Sequence, residues 1–195
     1  MNYSNEFLKG WGEGELLCGG GSLSKHTVGS RKELRRMISI TGAKSILELG
    51  CGDLVWHGPE LPDIDYHGID LHERDTWAKR REQGAKLSVL PANSPNLPRA
   101  ELIIARLVFI HLNNEYILEV LEEIKKFGKW LFANHDPNTD ADRKGRDQKS
   151  VPGHRAGSVF SSHNYPVNLN KPPFSLKYHE KQKPPKADGM SLFTL

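Results

Sequence analysis

The stretch Ser45–Asp53, SILELGCGD, restricts the fold of this chain more than any other. Ile46, Leu47 and Leu49 make a short apolar run of the kind a strand covered on both faces requires, and the run stops abruptly at Gly50-Cys51-Gly52. Glycines at a strand end remove Cβ atoms from the path of a ligand, and a helix beginning beyond them aims its N-terminal N–H groups at the same spot. A second run, Tyr66-His67-Gly68-Ile69-Asp70, reads as a strand ending in an acid whose carboxylate can accept both hydroxyls of a ribose. The two runs together point to a βαβ unit that holds a nucleoside-bearing cofactor.

The residue after the second glycine narrows the choice of cofactor. A dinucleotide site reads G-x-G-x-x-G, whereas here the third position is Val55, and Asp53 stands where a pyrophosphate needs N–H groups alone. At 4–5 Å and an effective dielectric near 20, such a charge opposes a phosphate by about 3–4 kcal/mol. Asp53 and Glu48 instead attract an ammonium and a sulfonium. Glu48-Leu49-Gly50-Cys51-Gly52-Asp53 followed by His67-Gly68-Ile69-Asp70 resembles motif I and the ribose acid of class I S-adenosylmethionine-dependent methyltransferases, with Leu54 where that motif usually carries its third glycine. The resemblance implies a doubly wound α/β fold, a mostly parallel seven-stranded sheet with a C-terminal antiparallel hairpin, and S-adenosylmethionine as cofactor. It also implies cofactor contacts at Glu48, Gly50, Cys51, Gly52, Asp53, Asp70, Leu71, Asn93 and Arg106. Trp56, the Arg106 segment with its Ile110-His111-Leu112, and Asn168-Leu169 before Pro172-Pro173-Phe174 resemble more narrowly a small branch of bacterial and viral methyltransferase-like proteins.

A chain of 195 residues suits a single domain with a self-sufficient core. Residues 1–21, with six glycines in the GWGEGELLCGGG run, read as a flexible arm, and residues 22–195 as the methyltransferase domain. The formal net charge of +3 does not by itself imply nucleic acid, although basic residues cluster at Arg31-Lys32 with Arg35-Arg36, at Lys79-Arg80-Arg81 and around Arg143-Lys149. Only Cys18 and Cys51 are present, which excludes a disulfide framework and a zinc centre made of cysteine alone. The first residues lack a signal-like apolar core and no apolar run is long enough to span a membrane, so a cytoplasmic protein without membrane partners is expected.

In chain order, a helix capped by Thr27 or Ser30 carries Val28, Leu34, Met37, Ile38 and Ile40 on its apolar side and ends at Gly42. The GGGSLSKHTVGSR run around its start resembles the family's lid. After motif I, Pro59 and Pro62 forbid a long helix. A charged helix over Glu73–Gln83 leads to a third strand, Ala85–Leu90, and a loop in which Asn93 offers an amide to the adenine edge. Ala100–Ala105 is the fourth strand, Asn113-Asn114 caps a helix over Glu115–Phe127, Gly128 stops it, and Lys129–Asn134 is the fifth strand. Residues 138–165 lack any period and read as a long loop, after which Phe174–Glu180 and Met190–Leu195 alternate as a hairpin.

Within the resemblance several chemistries fall away. The place after the fourth strand reads Ala105-Arg106-Leu107-Val108 rather than the Asn- or Asp-Pro-Pro-aromatic element of exocyclic-amine methyltransferases, and no cysteine lies there for a cytosine-C5 enzyme. Arg106 opposes a cation at the ends of strands four and five, so no metal centre is expected. Arg106 either forks onto a carboxylate or phosphate of the substrate or pairs with Asp136 or Glu101. His111 and His135 are the candidate bases, and Trp56 and Asp136 the further candidate substrate contacts, with Trp56 also a candidate core residue. The reading is a methyltransferase acting on an O or N nucleophile of a polar or anionic acceptor, small or macromolecular. Its alternatives are a binding protein that keeps the fold without turnover and a nucleic-acid-modifying methyltransferase, with a dinucleotide oxidoreductase disfavoured by Asp53.

Overall fold

The computed structural model describes residues 27–54, 56, 64–137, 167–179 and 189–195. Its strands are β1 (Ser45–Leu49), β2 (Asp65–Asp70), β3 (Lys86–Val89), β4 (Leu102–Ala105), β5 (Trp130–Asn134), β6 (Lys177–Tyr178) and β7 (Met190–Thr194). They form one sheet in the order β3-β2-β1-β4-β5-β7-β6. The first five run parallel, and β7 enters antiparallel between β5 and β6. The doubly wound sheet with its antiparallel C-terminal pair is the one the sequence leads to. The unbroken apolar runs occupy its centre: Ile46, Leu47, Leu49, Leu102, Ile103 and Ile104 are fully buried, as strands covered on both faces require.

Helices α1 (Val28–Thr41) and α2 (Thr76–Glu82) lie on one face, and α3 (Asn114–Ile124) on the other. On α1, Leu34 and Met37 pack onto Ile46, Leu102, Ile104 and Phe132, while Ile38 is partly buried beside them. Val28 and Ile40, expected on the same apolar side, are 59% and 39% exposed, because the buried stripe of a 3.6-residue period runs through Ser30, Leu34 and Met37. Thr27 holds the N-cap position without a side-chain capping bond, and Gly42 closes the helix with its N–H on Ile38 O at 2.9 Å. At α3 the expected cap forms: Asn113 Oδ1 accepts from Tyr116 N at 2.8 Å. Tyr116, Ile117, Val120, Leu121 and Ile124 then pack against the sheet.

The expected strand over Phe174–Glu180 shrinks to Lys177–Tyr178. Ahead of it the backbone turns instead, with Phe174 N and Ser175 N both bonded to Lys171 O at 3.0 and 2.9 Å and Leu176 N to Leu169 O at 2.8 Å. The expected arm at 1–21, the lid residues before Thr27, the loop at 138–165 and the basic cluster within it lie outside the described residues. No helix among the described residues is long and apolar enough to cross a membrane.

Candidate functional site

Strand order reverses on either side of β1, with β2 on one flank and β4 on the other, and the carboxyl ends of the strands at such a reversal are where open α/β sheets take their ligands. The loop Gly50–Leu54 sits at this point. Gly50, Gly52 and Leu54 have φ of 63°, 55° and 61°, all in the left-handed region. A Cβ on Gly50 would stand 2.8 Å from Cγ2 of Val108, so the loop passes too close to the chain after β4 for any side chain there. Leu54 keeps the glycine-like conformation despite its own side chain, at a cost of about 1–2 kcal/mol. That cost is offset by burial, because the Leu54 side chain lies in a small core with Cys51, Trp77 and Leu87.

The loop is stitched to the end of β2. Cys51 N donates to Ile69 O at 3.0 Å, and Gly52 N donates to Oδ2 of Asp70 at 2.9 Å. Oδ1 of Asp70 accepts from Leu71 N at 2.6 Å, with Nη2 of Arg74 at 3.8 Å. Two of the carboxylate's roughly four lone-pair positions are thus taken by backbone N–H groups. Gly68 on β2 lets Cys51 close in: a Cβ there would stand 2.8 Å from Sγ of Cys51. Asp53 is buried, and Oγ1 of Thr76, the first residue of α2, donates to it at 3.4 Å.

Glu48 differs from expectation. Its carboxylate is not an open face for a cation, since Oε1 accepts from Nε1 of Trp56 and Oε2 from the Tyr66 hydroxyl, each at 2.5 Å. Glu48 and Tyr66 project from neighbouring strands on the α1 side of the sheet, where two donors compensate a buried carboxylate. Burial, and next the charge of Glu48, hold the Tyr66 phenol well above its ordinary pKa, so it remains a donor. Trp56 is 4% exposed within the core beneath α1 rather than open to a planar substrate. The guanidinium of Arg106 lies over its ring, 5.2 Å from the centroid. Glu101, at the other end of β4, takes Lys44 N at 2.8 Å and Nζ of Lys129 at 2.9 Å, and the bond from Lys44, then that from Lys129, lowers its pKa. It is not the partner of Arg106.

Of the two candidate bases, His135 is corrected by its surroundings. Nδ1 accepts from Leu169 N at 3.1 Å, which places the proton on Nε2, and Nε2 is bonded to the Tyr178 hydroxyl. Tyr178 and Phe193 meet its ring edge-to-face, each 5.3 Å between centroids. Burial lowers its pKa from 6.5 to about 4, against the opposing charge of Asp136. Both nitrogens are committed, so His135 ties β5 to β6 and to the chain at Leu169 instead of offering a lone pair to a substrate. His111 ends the 3₁₀ turn Phe109–His111 after β4 and is half-buried. Asp136 is half-buried, its N–H on Val167 O at 2.9 Å. Asn93 is held by α3: its Oδ1 accepts from the Tyr116 hydroxyl at 2.9 Å, and one Nδ2 hydrogen goes to Glu119 Oε2 at 2.7 Å.

This architecture recurs in solved structures. A S-adenosylmethionine-dependent methyltransferase from Clostridium acetobutylicum matches 87% of this chain and 92% of its own at a TM-score of 0.60 and 14% identity. The N-methyltransferase NodS from Bradyrhizobium japonicum matches 85% of this chain and 93% of its own, at 0.53 and 14%. TehB from Haemophilus influenzae matches 84% and 61%, at 0.52 and 14%. The chain has the class I methyltransferase fold. It spans less than half, 46%, of the plantazolicin methyltransferase BpumL, with a TM-score of 0.43 at 20% identity. No family model matches the sequence, and no curated protein matches it.

Two residues of this methyltransferase fold escape a reading of motifs. Trp77, fully buried on α2, donates Nε1 to Gly52 O at 2.8 Å. Its signal is a lone tryptophan in an otherwise charged helical run, DTWAKRRE. Tyr116, whose hydroxyl orients Asn93, looks like an ordinary residue of an apolar helix face, and nothing in the sequence separates it from one.

Proposed function

We propose that the chain is an S-adenosylmethionine-dependent methyltransferase acting on an O or N nucleophile of a polar or anionic acceptor. The observation that carries this reading is the junction of Gly52 N with Asp70 Oδ2 at 2.9 Å, at the carboxyl edge where the strand order reverses. It leaves the backbone of a glycine turn and an acid with unused lone pairs side by side, which fits a ribose next to a bare backbone. Leu71 and the second Nδ2 hydrogen of Asn93 are available to the base, and Asp53 is the acid nearest the turn that can favour a cationic ligand. S-adenosylmethionine supplies a methyl group already activated on a sulfonium, so these residues need only bind, align and exclude water. Arg106, whose buried guanidinium lies over the Trp56 ring 5.2 Å from its centroid, is the side chain assigned to a carboxylate or phosphate of the acceptor. His111 is the remaining candidate to take a proton.

Calorimetry with S-adenosylhomocysteine tests the reading. Binding to the wild-type chain and at least tenfold weaker binding to Asp70→Ala are expected; undiminished affinity would remove Asp70 from the site. The second reading, binding without turnover, draws support from the two committed ring nitrogens of His135. Radiolabelled methyl transfer to a cell extract separates the two.

A further inference from the structure

We propose that Trp77 is a positioning residue for the cofactor: its indole N–H sets the plane of the Gly52–Asp53 peptide, and with it the place of the nucleoside. The proposal rests on the S-adenosylmethionine reading above.

Gly52 is gripped at both polar groups from outside its own loop. Its N–H goes to Asp70 Oδ2 at 2.9 Å and its carbonyl accepts from Nε1 of Trp77 at 2.8 Å. Gly52 has no side chain to fix its own backbone, and it lies in the left-handed region with φ of 55°, as do Gly50 and Leu54 two residues to either side. A peptide between a glycine and its successor turns readily about its flanking bonds unless something holds the carbonyl. Trp77 is a stiff holder. It is fully buried, its ring shares a small core with Cys51, Leu54 and Leu87, and the Arg81 guanidinium lies over it at 5.4 Å. Arg81 is itself held by Leu87 O at 3.3 Å and by Glu73. Neighbouring residues reach the same grip: Thr76 bonds Asp53, and Arg74 lies 3.8 Å from Asp70. Without the indole N–H, the Gly52 carbonyl is left buried with no donor. A buried acceptor without a partner is costly, so the peptide rotates toward another donor and displaces both the Gly52 N–H and Asp53.

The test compares Trp77→Phe, which keeps an aromatic ring and deletes the donor, with Leu87→Ala, which weakens the same small core and leaves the donor in place. Calorimetry with S-adenosylhomocysteine, Tm and the backbone amide resonance of Gly52 are read for each. Expected are an affinity at least tenfold weaker and a displaced Gly52 resonance in Trp77→Phe, against an affinity within twofold of wild type in Leu87→Ala despite a lowered Tm. Trp77→Phe binding within twofold of wild type overturns the role, as do equal affinity losses in both variants, since those mean packing alone. Failure of the wild-type chain to bind overturns the cofactor reading and this inference with it. Should Trp77→Phe not fold, the sulfur isostere benzothienylalanine at position 77 keeps the bicyclic shape, lacks the N–H and is judged by the same outcomes.

Discussion

At Gly50 a methyl group would stand 2.8 Å from Val108 Cγ2 on a backbone with φ of 63°. Gly50→Ala is therefore expected to lose at least about 2 kcal/mol in urea unfolding, from left-handed strain and overpacking together. Adding Val108→Ala should recover only the packing part; full recovery would mean that the φ value carries no cost. His135 makes a pH prediction. Its folded-state pKa lies near 4, below the unfolded 6.5, so between these values the unfolded chain binds the extra proton. Its contribution is fully present above about pH 6.5, declines as pH falls, and levels off below about 4. A loss of about 3 kcal/mol is expected across that window, and His135→Gln should lack this part of the acid limb in unfolding curves at stepped pH. For Arg106, lysine preserves charge and loses the planar guanidinium with its two-pronged donor geometry. Arg106→Lys should bind S-adenosylhomocysteine nearly as wild type and turn over an anionic acceptor more slowly. A large drop in Tm in both Arg106→Lys and Arg106→Ala would instead make the arginine a strut.

Elements differ in what ends them. The α3 cap is a real hydrogen bond, from Tyr116 N to Asn113 Oδ1, and Asn113→Ala should cost about 1 kcal/mol by chemical denaturation. Beyond the far end, which falls at Ile124, a packing limit follows. Gly128 bonds its N–H to Ile124 O at 2.8 Å, and a Cβ there would meet Ile103 Cγ1 and Leu195 Cδ1 at 2.9 Å and Ile124 O at 3.0 Å. The backbone oxygen cannot yield as a side-chain tip can, so Gly128→Ala should destabilise more than Asn113→Ala. Gly42 ends α1 with φ of 64° and nothing within 4 Å of its Cβ position, so Gly42→Ala costs only the backbone strain.

For the molecule as a whole, the decisive strand is the last one in the chain. β7 lies between β5 and β6, and its Met190, Leu192 and Phe193 are buried on the two faces of the sheet. Burying three such side chains contributes about 5–9 kcal/mol, comparable to the whole stability of a typical domain. Deleting residues 190–195 should therefore abolish the cooperative thermal transition and not merely fray an edge. A truncated chain that still melts cooperatively would mean that the parallel half of the sheet is self-sufficient.

The sequence by itself determined which segments form the strands, and its resemblance to class I methyltransferases implied their order in the sheet. Short apolar runs ending in Gly50-Cys51-Gly52 and in Asp70 are local signals, and a buried parallel strand and a glycine turn each need only their own residues to be recognised. Asn113 marks its helix start for the same reason, whereas α3 ends at Ile124 and not at the expected Phe127 before Gly128. Partners were decided by the tertiary structure. That Glu48 spends its carboxylate on Trp56 and Tyr66, that His135 is enclosed by Leu169, Tyr178 and Phe193, and that Trp77 reaches Gly52 are contacts between residues on different elements. A side chain's hydrogen bonds and burial depend on which elements the sheet brings beside it, and spacing along the chain does not encode that. Thus the glycine turn and the strand-ending Asp70 were legible as features of one sheet edge, whereas the partners of Glu48, His135 and Trp77 became readable only once the strands lay side by side.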